Sequence, residues 1–311
     1  MRLFRLLPLA LFLGVACKGD PAAAPPPPRE FDAAVAFPHI ATQVAFGPRI
    51  PGTKGHLAQQ AWLEAQLRPL ADTLIIQSWT HTTAGGVSFG LKNFVARFNP
   101  TAQERLMFLA HWDTRPISDS PLWKGDTSIP VPGANDGASG VAVLLEVARR
   151  LRAAKPGIGV DLLFTDGEDY GDFQGAGQAD VLIGSRYYAT HLPEGPMPLY
   201  AVLLDMVGDA DQQFYQEGNS LSGSPEVVQR VWAMGKRLGL QQVFIDAPKH
   251  TLIDDHVELQ KVGIRAIDVV DFDYPHWHTP NDTPDKVKAA SLQTVGDLVL
   301  ALIREQGPAA K

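Results

Sequence analysis

The stretch "VDLLFTDGED" (residues 160–169) passes from an apolar run through a glycine turn into two adjacent carboxylates. A short apolar run closed by a turn residue reads as a buried strand. The same layout recurs in "RLMFLAHWD" (105–113), "YAVLLDMVGD" (200–209) and "RAIDVVDF" (265–272), each ending in acids or histidine. "TLIIQSW" (73–79) and "NFVARF" (93–98) read as further strands. Between the strands lie helical patterns. In "SGVAVLLEVARRLRAA" (139–154), Val141, Leu144, Leu145, Ala148 and Leu151 share one face. "HLAQQAWLEAQL" (56–67), with Leu57, Trp62 and Leu63, follows the tight "GPRIPGTKG" (47–55). "SPEVVQRVWAMGKRLG" (224–239), "DDHVELQKVG" (254–263) and "PDKVKAASLQTVGDLVLALIRE" (284–305) complete the set. Strands alternating with helices predict a single α/β domain over residues 31–311, with a central, mostly parallel (mixed) sheet flanked by helices.

In such sheets ligands bind outside the carboxyl ends of the strands. The residues expected on that rim are His111 and Asp113, Glu168 and Asp169, Asp205, and the histidines of "DFDYPHWHTPNDTPDKV" (271–287). Asp136, in "GANDGASG" (133–140), stands just before a helix. Each segment alone is an ordinary polar loop. Together they bring two histidines and three aspartates to one edge, a set that suits zinc. Of the pair Glu168–Asp169, one carboxylate can hold a metal while the other carries a proton. Cys17 is the only cysteine, which excludes an internal disulfide and a thiolate zinc site.

The chain has 311 residues, 45% hydrophobic and 20% charged, with a formal net charge of −7, and no basic stripe points to nucleic acid. Residues 1–17 have a lipoprotein signal layout: Arg2 and Arg5, a short apolar core from Leu6 to Ala16, then Cys17 behind "LGVA". Residues 18–30, with "PAAAPPPPRE", read as a proline- and alanine-rich spacer. The expected location is the cell envelope, with membrane contact only through an N-terminal lipid anchor.

"AHWDTRP", "GANDGASGVAVLLEVAR", "FTDGED", "GSRYYA", "LLDMVGD", "DDH" and "WHTPNDTPD" occur in an order that resembles the M28 zinc peptidase superfamily. Within it the chain looks most like glutaminyl-peptide cyclotransferases of bacterial type. The resemblance covers nearly everything after "GPRIPGTKG". It implies a zinc-exopeptidase-like fold, one zinc ion, and peptide or protein substrates with N-terminal glutamine, converted to pyroglutamate with release of ammonia. It further implies zinc ligands Asp136, Asp169 and His278, a general base and acid in Glu168, and an acidic network of Asp205 and Asp254. Trp277 would shape the substrate pocket, and a cis peptide would follow Asp136. Asp169 stands where animal cyclases carry glutamate. The tryptophan that follows the acidic pair in those enzymes has no match in "DGEDYGDFQGAGQADVLIGS".

Two other readings stay open on these residues. His111, Asp136, Asp169, Asp205 and His278 are also the five ligands of a di-zinc aminopeptidase, in which His111 and Asp205 would serve the second metal. A non-catalytic envelope binding lipoprotein is the third. Asp254 tips the balance towards cyclisation: related peptidases usually have serine or threonine there, and a carboxylate beside Asp205 couples their protons and weakens Asp205 as a ligand. Around these, His256 is expected to cap or pack, Asp113 to orient His111 or its loop, and Trp112, Trp232 and Tyr170 to lie in the core. Trp277 is expected to point the other way along an extended segment, so that His276 and His278 face the same side. The choice of His278 as the ligand then rests on the family's "WHT".

Overall fold

The computed structural model describes residues 28–173, 178 and 180–307. Residues 1–17, with Cys17, and most of the 18–30 spacer lie outside the described residues. A hairpin opens the sheet, β1 (Thr73–Thr82) and β2 (Ser88–Phe98), followed by β3 (Arg105–His111), β4 (Gly159–Thr165), β5 (Ala201–Asp205) and, last in sequence, β8 (Ala266–Val270). Their order across the sheet is β1-β2-β4-β3-β5-β8. The pairs β4–β3, β3–β5 and β5–β8 are parallel; β1–β2 and β2–β4 are antiparallel. The mixed, mostly parallel sheet is therefore as expected.

The near-continuous apolar runs, interrupted by buried Asp161 in β4 and Asp268 in β8, follow from burial on both faces. Phe108 and Ala110 of β3 pack into the larger core, against α4 (Ala138–Ala153) and α9 (Ala289–Gln306). Met107 and Leu109, pointing the other way, pack with Tyr188 of α5 (Ile183–Thr190) and Leu259 of α8 (Asp255–Lys261). With no polar face, the period-2 alternation of a half-exposed strand is lost.

Helix α4 lies so close to the sheet that a Cβ on Gly140 would stand 2.2 Å from the Leu204 carbonyl oxygen and 2.8 Å from Ala110 Cβ. Gly140→Ala is expected to push the helix off the strands and cost about 1–3 kcal/mol, read as a lowered thermal midpoint. Helix α4 begins two residues after Asp136, so zinc retention in the same variant should fall with it.

Three segments differ from the sequence reading. The C-terminal helix starts at Ala289: Pro284–Lys286 forms a 3₁₀ turn and Lys288 N–H donates to the Gly208 carbonyl. A two-stranded parallel pair, β6 (Phe214–Gln216) and β7 (Phe244–Pro248), was not expected, because three residues are too few to show a period. The first described residues run back along α9. Arg304 donates to the Pro28 carbonyl (3.1 Å), Phe31 N–H to Asp297 (3.3 Å) and Ala33 N–H to Gln293 (3.2 Å). No helix among the described residues is long and apolar enough to cross a membrane.

Candidate active site

From β3 the chain crosses to β4 on one side, and from β4 to β5 on the other side of β3. Strand ends diverge at such a switch, and the crevice between them is where ligands sit. His111 closes β3, the 166–169 turn follows β4, and Asp205 closes β5. Asp136 comes from the long β3–α4 loop, with the Asp136–Gly137 peptide cis, as the resemblance implied. Two sets of three candidate ligand atoms form, the atoms of each lying within 4.8 Å of one another: Asp136, Asp169 and His278, and His111, Asp136 and Asp205. They share Asp136. All five residues are buried.

The ligand-bearing loops are held by carboxylates. Asp113 accepts the backbone N–H groups of both Glu168 (3.0 Å) and Asp169 (3.1 Å) and lies 3.6 Å from His111 Nδ1. It therefore orients the loop and the histidine together. Asp282 does the same for the other ligand loop, accepting from Asn135 N–H (2.9 Å), Asp136 N–H (3.1 Å) and the Tyr274 hydroxyl (2.8 Å). Buried Arg49 donates to the Gly133 carbonyl (2.6 Å) beneath it. At the β4 end, Asp166 is fixed by His56 (2.8 Å) and by Lys92 N–H (2.7 Å), and Gly167 takes the left-handed turn at φ +70° that aims the acidic pair.

His278 corrects the expectation of an extended segment. The chain turns here: Trp277 N–H donates to the Tyr274 carbonyl, Thr279 N–H to that of His276, and His278 itself sits at φ +52°. The two histidines therefore part. His278 Nδ1 pairs with Asp119 (2.9 Å), leaving Nε2 3.3 Å from Asp169 Oδ1 and 3.8 Å from Asp136 Oδ2. A carboxylate on the far ring nitrogen fixes tautomer and orientation in metal-bound histidines generally. His276 instead faces a separate acidic hollow with Asp209, Asp271 and Asp285. His256 is buried against Glu217 (3.2 Å) and takes no part in either ligand set. Trp112 and Trp232 are core, as expected.

Among the described residues, Asp136, Asp169, His278, Glu168, Asp205, Asp254 and Trp277 line one cavity of about 580 Å³. Met206, Leu252, Ile253, Val270 and Phe272 make its apolar wall. His111 lies behind it, its Nε2 3.0 Å from Asp136 and 3.2 Å from Asp205. Burial, then the neighbouring Asp169 charge, pushes Glu168 well above the usual carboxylate range. Burial, then Asp205 and Asp255, does the same to Asp254. For His278 burial opposes the charge, but Asp169, Asp119 and Asp136 outweigh it and push the ring up to about 10.

A divalent cation fits the first set. Asp169 Oδ2 is buried with no hydrogen-bond donor among the described residues, a costly state that a cation relieves. One imidazole nitrogen and two carboxylates are zinc-type donors. Sequence reasoning missed Asp282, Arg49 and Arg115. Arg115 donates to Asp119 (3.2 Å) and Asp169 (3.2 Å), bracing the two partners of His278. It also missed Asp268, buried in β8, which burial and then Asp254 push well above the carboxylate range. Only Asp282 carried a signal, standing in the same "HWHTPND" stretch as the ligand.

A mixed sheet with such a ligand set at its strand ends defines a zinc-exopeptidase-like domain. The family model for peptidase family M28 matches residues 93–303, and the chain belongs to that family. Among solved structures, a Bacteroides thetaiotaomicron glutaminyl cyclase bound to N-acetylhistamine is 34% identical, with TM-score 0.84, covering 88% of this chain and 98% of that one. A leucine aminopeptidase precursor from the same species has the same identity and TM-score and covers 88% and 97%. A Zn-dependent exopeptidase from Parabacteroides distasonis is 33% identical, with TM-score 0.83, covering 88% and 98%. The chain is thus an M28-type enzyme whose relatives carry both activities.

Proposed function

We propose that the protein is a zinc-dependent glutaminyl-peptide cyclotransferase, with Asp136, Asp169 and His278 as zinc ligands. The observation that carries this reading is Asp254, a second buried carboxylate on the wall of the same cavity as Asp205. Two neighbouring acids share protons, which weakens Asp205 as a ligand for a second cation. Zinc, when bound, supplies Lewis-acid polarisation of the carbonyl under attack.

The cavity favours an amine. Seven acids line it, Asp119, Asp136, Glu168, Asp169, Asp172, Asp205 and Asp254, and its one arginine, Arg115, is engaged by Asp119 and Asp169. A peptide amino terminus is welcome there and a carboxyl terminus is not. The substrate's α-amine attacks its own γ-carboxamide; the N–C bond of the ring forms, the C–NH₂ bond breaks, and ammonia leaves. Glu168 takes the proton from the α-amine and returns it to the departing nitrogen. A high proton affinity, enforced by burial and Asp169, suits that two-way role. Asp254 and Asp205 position the proton path. Trp277, with Phe272 packed on it at 4.8 Å, shields one side from water. Intramolecular attack supplies its own proximity. In the cell envelope, tethered through Cys17, the enzyme would act on exported peptides.

The shared Asp136 of the two ligand sets favours a second reading, a di-zinc aminopeptidase. The deciding measurements are zinc per chain, ammonia release from Gln-peptides and cleavage of amino-acid anilides, on the wild type and Asp254→Ser. The expected results are one zinc and ammonia release in the wild type, and a second zinc bound by the variant. Two zincs in the wild type, with anilide cleavage and no pyroglutamate, would hand the case to the aminopeptidase.

A further inference from the structure

The catalytic cavity does not end at the ligands. Arg115, Asp119 and Asp172 line it on one side and on the other line a second, more open hollow of about 580 Å³. The remaining walls of that hollow are Ile50, Pro51, Pro116, Ile117, Tyr170 and Gly171. Ile50 and Pro51 follow Arg49, the anchor of the Asp136 loop; Pro116 and Ile117 follow Arg115, the brace of Asp119 and Asp169; Tyr170 and Gly171 follow the ligand Asp169. The groove is therefore built from the same segments that hold the candidate metal site, and its place relative to the site is set by the Arg49 hydrogen bond to the Gly133 carbonyl and the Arg115–Asp169 ion pair. Tyr170, expected in the core, is half-buried against Phe89 (4.8 Å) and lines the groove. Ile117 is 41% exposed, a large apolar side chain left on the surface.

We infer that this groove takes the stretch of peptide that follows the N-terminal residue, and that it selects neutral apolar side chains there over acidic ones. The inference rests on the reading that the catalytic cavity holds a peptide's amino-terminal residue. An occupant entering the acid-lined cavity amino end first must leave the rest of its chain somewhere, and the hollow that adjoins the cavity across Arg115, Asp119 and Asp172 is the neighbouring place for it. Apolar walls reward Leu- or Phe-like side chains. The cation of that boundary, Arg115, is already engaged by Asp119 and Asp169, so a glutamate or aspartate in the peptide would have to displace a carboxylate to pair with it.

Binding tests this independently of turnover. In zinc-loaded Glu168→Gln protein, Kd is measured by Trp277-dependent fluorescence for three amidated peptides: Gln-Ala, Gln-Leu-Leu-Ala and Gln-Glu-Glu-Ala. The leucine peptide is expected to bind about tenfold more tightly than Gln-Ala, and the glutamate peptide more weakly than it. Ile117→Asp on the same background should erase the leucine gain and leave Gln-Ala within about twofold, since Ile117 does not line the catalytic cavity. Equal binding of all three peptides would overturn the inference. So would a leucine gain that survives Ile117→Asp and is lost in Ile253→Ser, which would send the chain over the opposite, Leu252–Ile253 wall. Ammonia release by the wild type is scored separately, so a failed cyclase reading and a failed groove reading give different results.

Discussion

Glu168→Gln is expected to keep the fold and the zinc and to lower turnover by ~10² to 10⁴. The side chain is isosteric, and the backbone N–H of residue 168 would still reach Asp113, which also holds Asp169 N–H. The metal-ligand set is thus undisturbed. What is lost is the ability to take a proton. The side chain of Glu168 lies 3.8 Å from His111 Nδ1 and faces the cavity beside Asp254. Burial raises the proton affinity of Glu168 and of its neighbour Asp254 alike, and of the two it is Glu168 that adjoins Asp169 of the ligand set in sequence and in the cavity lining. Ammonia release on Gln-peptides, with zinc per chain on the same sample, checks this. Loss of zinc together with activity would make Glu168 a ligand, not a proton carrier.

His278→Ala is expected to lose zinc and turnover together, whereas His276→Ala keeps both. His278 supplies the only nitrogen of its ligand set, and its ring is locked by Asp119, which Arg115 braces in turn. Even the loss of a partner behind a ligand typically costs 10–100-fold in metal affinity, and removing the ligand costs more. His276 faces a different hollow and touches neither ligand set. Zinc content after equilibration at fixed free zinc separates the two variants. Zinc loss from His276→Ala with retention in His278→Ala would reverse the assignment.

The sheet was legible because its strands are buried on both faces: runs such as "RLMFLAH" and "VDLLF" leave no room for another reading, and the acids mark where each strand stops. Four of the candidate ligands were legible in a similar way, since His111, Asp169 and Asp205 stand at or just past strand ends and Asp136 just before a helix, whereas His278, in a turn beyond β8, was named only through the family's "WHT". The supports were not. Asp113 and Asp282 act by accepting backbone N–H groups, and an aspartate that does so looks in sequence like any turn aspartate. Arg49 and Arg115 act on carbonyls and carboxylates from segments far along the chain, at separations such as 84 residues for Arg49 to Gly133. The turn at His278 was misjudged because a positive φ at a histidine has no composition signal. Only the bonds from Trp277 N–H to the Tyr274 carbonyl and from Thr279 N–H to the His276 carbonyl, with Ser120 N–H on the His278 carbonyl (3.2 Å), reveal it.

The run of the first described residues along α9 bears on how the molecule is presented to its surroundings. Pro28 lies beside Arg304, near the end of that helix, while residues 31–33 reach back to Asp297 and Gln293. The helix begins beside Gly208, close to the strand ends that carry the site, and finishes where Gly307 packs on Ile158, just before β4 starts. Residue 28 therefore stands at the pole opposite the cavity. A protein held at that pole, by a lipid, a resin or a fusion partner, turns its mouth outward. On the proposed reading, a long peptide would reach the cavity without threading past the support, and immobilisation through the amino-terminal side should leave the rate on large substrates unimpeded by the surface.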